Sequence, residues 1–109
     1  LCLVFHHAVH KRDPVSELTS RLMDRERFLA LMRKYKVDLA LYGHDHHGRL
    51  WTHEEDGHKT QFICCGSSTR LTDDPAKTAK YRVINIENGR IRKIETKVYD
   101  CTVRRFLLQ

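Results

Sequence analysis

The sequence predicts a layered α/β fold, a βαβ unit followed by antiparallel hairpins. Three observations predict it. Two short apolar runs, Leu1–Phe5 (LCLVF) and Val37–Tyr42 (VDLALY), enclose a stretch with helical periodicity. Asp56-Gly57 and Asn88-Gly89 are dipeptides favoured in tight hairpin turns, and segments rich in β-formers flank both. His-rich segments follow both apolar runs, where an open α/β sheet presents its ligand-binding edge.

Taken in order, LCLVF is a continuous apolar run, as expected of a strand buried on both faces. Asp13-Pro14 then signals a turn. A helix should follow, with Asp24 as N-cap and Glu26 in its first turn, near the positive end of the helix dipole. Phe28, Leu31, Met32 and Tyr35 fall at i, i+3, i+4 and i+7 and would form its apolar face. Arg33, Lys34 and Lys36 crowd the last turn, where cations are favoured. Ser16–Met23 reads either as an earlier turn of this helix or as a separate short one. Val37–Tyr42 is the second strand, ended by Gly43, and a right-handed crossover should set it parallel to the first.

Gly48–Ser68 then reads as two strands around Asp56-Gly57. Lys80–Asp100 repeats the form, with Tyr81, Val83 and Ile86 before Asn88-Gly89 and Ile91, Ile94 and Val98 after it. Gly66–Lys77 is a polar loop, and Val103–Gln109 is an ambiguous tail. No repeat, low-complexity tract or interdomain linker interrupts the pattern. The 109 residues amount to one domain or part of a larger one. A core strand without lead-in or methionine suggests a chain cut from something longer, with room for a targeting segment upstream.

Composition narrows the function classes. Hydrophobic residues make up 40%, enough for a core and against global disorder. No apolar run is long enough to span a bilayer. The net charge of +6 is spread along the chain, and the clusters Arg33–Lys36 and Arg90–Lys93 read as solvated faces. No nucleic-acid-binding signature is present. Cys2, Cys64, Cys65 and Cys101 form no C-x-x-C pair, which speaks against a thiolate zinc site. Adjacent Cys64 and Cys65 read as small core residues, and a reducing, cytoplasmic compartment is expected.

The eight histidines are the unusual count. Leu3–His7 (LVFHH) and Leu41–His47 (LYGHDHH) deliver imidazoles to the ends of two strands that should lie side by side. His44 and His46, two apart, should share a side and either grip one metal or divide between two, with Asp45 pointing away. Gly43 should let the backbone turn sharply toward an ion. Imidazole suits zinc, iron, nickel and copper and, with carboxylates, manganese. A lone H-x-H says little, but Gly-His-x-His directly after an apolar strand, with His-His ending another, is more specific. His7 and His47 are candidates for facing substrate, His10 for a surface loop, and His53 and His58 for exposed hairpin positions. Trp51 suits core or hairpin packing better than a nucleobase platform. Gly66–Arg70 (GSSTR) is either a phosphate-contacting loop or a plain strand exit.

In LVFHH, the intervening helix and LYGHDHH, the chain resembles the C-terminal part of calcineurin-like metallophosphoesterases, especially the cyclic-nucleotide phosphodiesterase-like branch. The resemblance implies the C-terminal portion of a four-layer α/β/β/α sandwich around two divalent ions (Mn, Fe or Zn). It implies His6 and His44 as ligands of one ion and His46 as a ligand of the other. Two such ions activate water for in-line attack on a phosphomonoester or phosphodiester, a nucleotide being one candidate. Only neutral imidazole ligates, so binding should weaken as pH falls below about 6.5. Two departures stand out. Ala8-Val9 replaces a common Pro-Pro, and the family's Gly-Asp-x-x-Asp and Gly-Asn-His-Asp/Glu motifs do not occur in these 109 residues, nor does an Asp-x-His ahead of LVFHH. The expectation is therefore a hydrolase fragment, inactive alone, that supplies three ligands and no general acid. The alternative is a non-catalytic metal-binding or protein-interaction remnant.

Overall fold

The computed structural model describes residues 1–9, 24–44 and 46–109. The expectations for His10, Asp13-Pro14, Ser16–Met23 and Asp45 lie outside the described residues. Among those described, the chain forms seven strands and one helix. They are β1 (Cys2–Phe5), α1 (Arg25–Lys34), β2 (Leu39–Tyr42), β3 (Arg49–Glu55), β4 (His58–Cys64), β5 (Lys80–Glu87), β6 (Arg90–Asp100) and β7 (Arg105–Leu108). The strands build two small sheets, ordered β1-β2-β4-β3 and β5-β6-β7.

This corrects the expected fold class. The described protein is mostly β, not part of an α/β/β/α sandwich with several helices. The physical reason is local: beyond Gly43 the apolar residues alternate about two tight turns, and no helical period follows to build a second helical layer. No described helix is long and apolar enough to cross a membrane. The chain divides into two compact units, residues 1–44 with 50–63, and residues 45–49 with 64–109.

In the first unit β1 and β2 pair in parallel, from Cys2↔Leu39 to Phe5↔Tyr42. A run of rings crosses its core. Phe28 of α1 meets Phe5 edge-on at 5.0 Å, and Phe5 stacks on Tyr42 at 5.8 Å. Tyr42 meets Phe62 at 6.5 Å, and Phe62 stacks on Trp51 at 4.0 Å. Trp51 Nε1 donates to the Tyr42 hydroxyl at 3.1 Å, so Trp51 packs as the hairpin residue expected. His58 and Thr60, alternate residues on β4, both reach the Val37 carbonyl, at 2.9 and 2.8 Å. His58 is thus half-buried rather than exposed, and so is His53, whose Nε2 lies 3.3 Å from Glu55.

Other expectations shift. Among the described residues β1 is an edge strand, with Val4 71% exposed, rather than a strand buried on both faces. In α1 the inward stripe is Arg25, Phe28, Leu29 and Met32, while Leu31 (51%) and Tyr35 (61%) face outward. Apolar side chains at 28, 29, 31, 32 and 35 make a stripe wider than the face that is buried, and contact with Phe5 marks its inward side. Asp24 occupies the N-cap, but its side chain makes no capping bond; its carboxylate lies 3.9 Å from Arg27.

In the second unit β5 and β6 run antiparallel with a bulge at Asn85/Ile86, and the ambiguous tail supplies β7, antiparallel to β6. Phe106 of β7 lies 4.9 Å from Tyr81 and 5.3 Å from Tyr99. Arg82 Nη1 donates to the carbonyls of Arg49 and Cys64, at 3.0 and 2.7 Å. Buried Lys80 donates from Nζ to the carbonyls of Pro75 and Ala76. Both hairpin turns have two positive φ values in succession, 51° and 73° at Asp56-Gly57 and 50° and 72° at Asn88-Gly89. That is the type I′ geometry those dipeptides favour.

Two tests follow from this packing. Phe62 is fully buried, so Phe62→Ala should cost about 3–5 kcal/mol. Leu31→Ala, on the outward face of α1, should stay within about 0.5 kcal/mol. Urea unfolding followed by Trp51 fluorescence checks both, and a large Leu31 effect would refute the assigned helix face. Cys64 is also fully buried, and desolvation pushes its thiol up from the usual range. Iodoacetamide at pH 8 should therefore label exposed Cys2 and Cys101 while sparing Cys64 until the chain unfolds, as mass spectrometry would show. The unfolded thiol ionises first, so this group's stabilising contribution falls as pH rises above its ordinary value of 9.0.

Candidate metal centre

The site grows out of the β1–β2 pairing. Beyond Phe5↔Tyr42, the Gly43 amide donates to the His6 carbonyl at 3.3 Å, extending the parallel ladder past both strand ends. The residues that follow are thereby held side by side. His6 Nε2 lies 3.2 Å from His44 Nδ1, and the rings are nearly perpendicular at 89°. His7 joins them, its ring centre 5.5 Å from that of His6 and 5.7 Å from that of His44.

The backbone turns at the histidines themselves. His44 has φ of 73° and His46 of 48°. Gly43 is not left-handed, and a Cβ there would meet His6 Nδ1 at an ordinary 3.7 Å. The expectation that Gly43 makes the sharp turn is therefore corrected: His44 makes it. Histidine enters this region more readily than most residues, yet the conformation still costs of order 1–3 kcal/mol. Strain of this size is characteristically found at functional sites.

The His6–His44 geometry fits a shared ion. Two imidazole nitrogens bound tetrahedrally at about 2.0–2.1 Å from zinc sit about 3.3 Å apart. The observed 3.2 Å matches that edge. The same separation suits a hydrogen bond in which one neutral ring donates and the other accepts.

The set is small. Among the described residues, no group of three or more His, Cys, Asp and Glu side chains is arranged to hold a metal ion. Of the three expected ligands, the structure pairs His6 with His44. His46 stands on the segment 45–49 of the second unit, with its side chain exposed. His47 is exposed too. Asp74 has its carboxyl held below the usual carboxylate range, first by the Ala76 amide, then by Lys77, with His47 adding a smaller pull.

The Gly66–Arg70 loop looks inward for its bonds. Ser67 Oγ accepts from the amides of Thr69 and Arg70, at 3.3 and 3.1 Å. Two amides that a phosphate would need are already used, which favours the strand-exit reading. Sequence reasoning missed that Gly66 runs against the His46–Gly48 backbone, where an added Cβ would lie 3.0 Å from the Gly48 nitrogen. The only local signal for it was a glycine directly after a strand. No protein-family model and no curated protein matches the chain.

Proposed function

We propose that the chain is part of a metal-dependent phosphoester hydrolase, with His6 and His44 holding one divalent ion and His46 serving a second. The observation supporting this is the 3.2 Å approach of His6 Nε2 to His44 Nδ1 at two paired strand ends. The reaction class comes from the resemblance of LVFHH and LYGHDHH to calcineurin-like metallophosphoesterases. Zinc, manganese and iron are the candidate ions, and a phosphomonoester or phosphodiester, including nucleotides, is the candidate substrate. A reducing, cytoplasmic setting belongs to the same proposal.

When bound, such ions supply an activated water and neutralise charge on the phosphoryl oxygens. The chain's own part is to hold neutral imidazoles in place. The ladder through Gly43 and His6 fixes the strand ends, and the left-handed turn at His44 aims its ring at His6. No residue in the chain is assigned as general acid.

A second reading is a non-catalytic metal-binding or protein-interaction module. One fact favours it: no third ligand joins the His6–His44 pair among the described residues.

Zinc titration of the chain by calorimetry tests the shared proposal of an ion site. His6→Ala and His44→Ala should each weaken binding at least about tenfold, while His53→Ala leaves it unchanged. Affinity should fall as pH drops from 7.5 to 5.5, because protons compete with the ion for each imidazole. Equal affinity in all variants would sink the site. The chain alone should not turn over bis(p-nitrophenyl) phosphate with manganese, because no described carboxylate joins the His6–His44 pair. Turnover that His44→Ala abolishes would eliminate the non-catalytic reading. A parent gene without Asp-x-His and Asn-His motifs upstream of Leu1 would eliminate the hydrolase.

A further inference from the structure

Three imidazoles gather where β1 and β2 end. The centre of the His7 ring lies 5.5 Å from that of His6 and 5.7 Å from that of His44, and the His6 and His44 centres are 5.1 Å apart. All three residues belong to the first unit. Consecutive residues of a strand point to opposite faces, so His6 and His7 would part if β1 ran on. The chain instead bends after Phe5, and the two rings stay together. That bend is held on both sides. The His6 carbonyl accepts from the Gly43 amide, and Ala8 and Val9, which follow His7, are buried.

The spacing of the ring centres fits one tetrahedral ion. Zinc bound at about 2.0–2.1 Å from an imidazole nitrogen lies about 3.2 Å from the ring centre, which sets the centres of any two ligating rings about 5.2 Å apart. The three observed separations fall within about 0.5 Å of that value. The rings stand at 71°, 89° and 50° to one another, so none lies face to face with another. As they stand, the close nitrogen contact is between His6 and His44, and no group of three among the described residues is arranged to hold an ion. His7 differs in orientation, not in position. Its Cβ–Cγ bond points through the ring centre, so turning the ring about that bond leaves the centre in place and sweeps the nitrogens around it. This torsion is broad in histidine, and the side chain is exposed.

We infer that His7 is the third ligand of the ion held by His6 and His44, making a three-histidine centre whose fourth position faces solvent. This rests on the His6–His44 ion site proposed above and goes beyond it, because the centre needs neither His46 nor any residue upstream of Leu1. It also replaces the expectation that His7 faces substrate. Three neutral ligands leave the ion its full charge, so the fourth position suits a water or an anionic oxygen. Contact between surface rings does not by itself explain the gathering, since His44 reaches the other two only through a strained, left-handed backbone.

The experiment is a zinc titration of the 109-residue chain, read by calorimetry and by the NMR shifts of the imidazole nitrogens, in the wild type, His7→Ala and His46→Ala. In the wild type, His6, His7 and His44 should show coordination shifts together, complete at one equivalent of zinc. His7→Ala should bind at least about tenfold more weakly, with His6 and His44 still responding. His46→Ala should stay within about twofold of the wild type. If His7→Ala does not fold, the wild-type spectra decide by themselves. An unmoved His7 while His6 and His44 shift overturns the inference and leaves the proposed ion site standing. So does a folded His7→Ala with wild-type affinity. Silence at His6 and His44 overturns the proposed function itself.

Discussion

Four parallel backbone pairings, Cys2↔Leu39 to Phe5↔Tyr42, govern how the first unit is built. Parallel strands cannot be joined by a tight turn, so the chain must travel out and back between them, and α1 lies on that route. The same register puts Phe5 against Tyr42, and from that pair the ring contacts run outward to Phe28 and inward through Phe62 to Trp51. It also brings the residues after each strand to the same level. A slip by one residue would turn every side chain of β1 to the opposite face. It would remove Phe5 from the aromatic run and His6 from His44 together.

The arrangement at the strand ends is costly, and the core offsets that cost. A left-handed His44 opposes folding by of order 1–3 kcal/mol. Each favourable aromatic pair is worth about 0.5–1.5 kcal/mol beyond its buried area. Four such contacts run through the first unit. The core can therefore hold the histidine turn in a conformation that the turn would not adopt by itself. Two close imidazoles without an ion settle into a shared hydrogen bond, which keeps their nitrogens turned toward each other.

What could be read from the sequence was chiefly what depends on neighbouring residues. Asp56-Gly57 and Asn88-Gly89 are recognisable because the backbone there must take two positive φ values, and few dipeptides do so cheaply. The meeting of His6 and His44 follows from two apolar strands of matched polarity at their ends. The inward stripe of α1 was not legible, because its apolar residues allow two stripes and only Phe5 distinguishes them. Nor was the exposure of β1, since an edge strand and a central strand of four apolar residues have the same local pattern. His58 and Thr60 sharing the Val37 carbonyl is likewise a meeting of distant segments. The four-layer sandwich failed for a different reason: it came from resemblance, and the periodicity of the second half never contained another helix.

The tips of the two hairpins stand in contrast to the histidine turn. A Cβ at Gly57 or Gly89 would touch nothing within 4 Å, whereas one at Gly66 would crowd three backbone atoms, at 3.0, 3.2 and 3.3 Å. Variation along this chain is therefore unevenly permitted. Lengthening or grafting at the hairpin tips leaves both sheets their pairing, so these are the points at which related chains are free to diverge in length. The short connection at Gly66 has no such freedom.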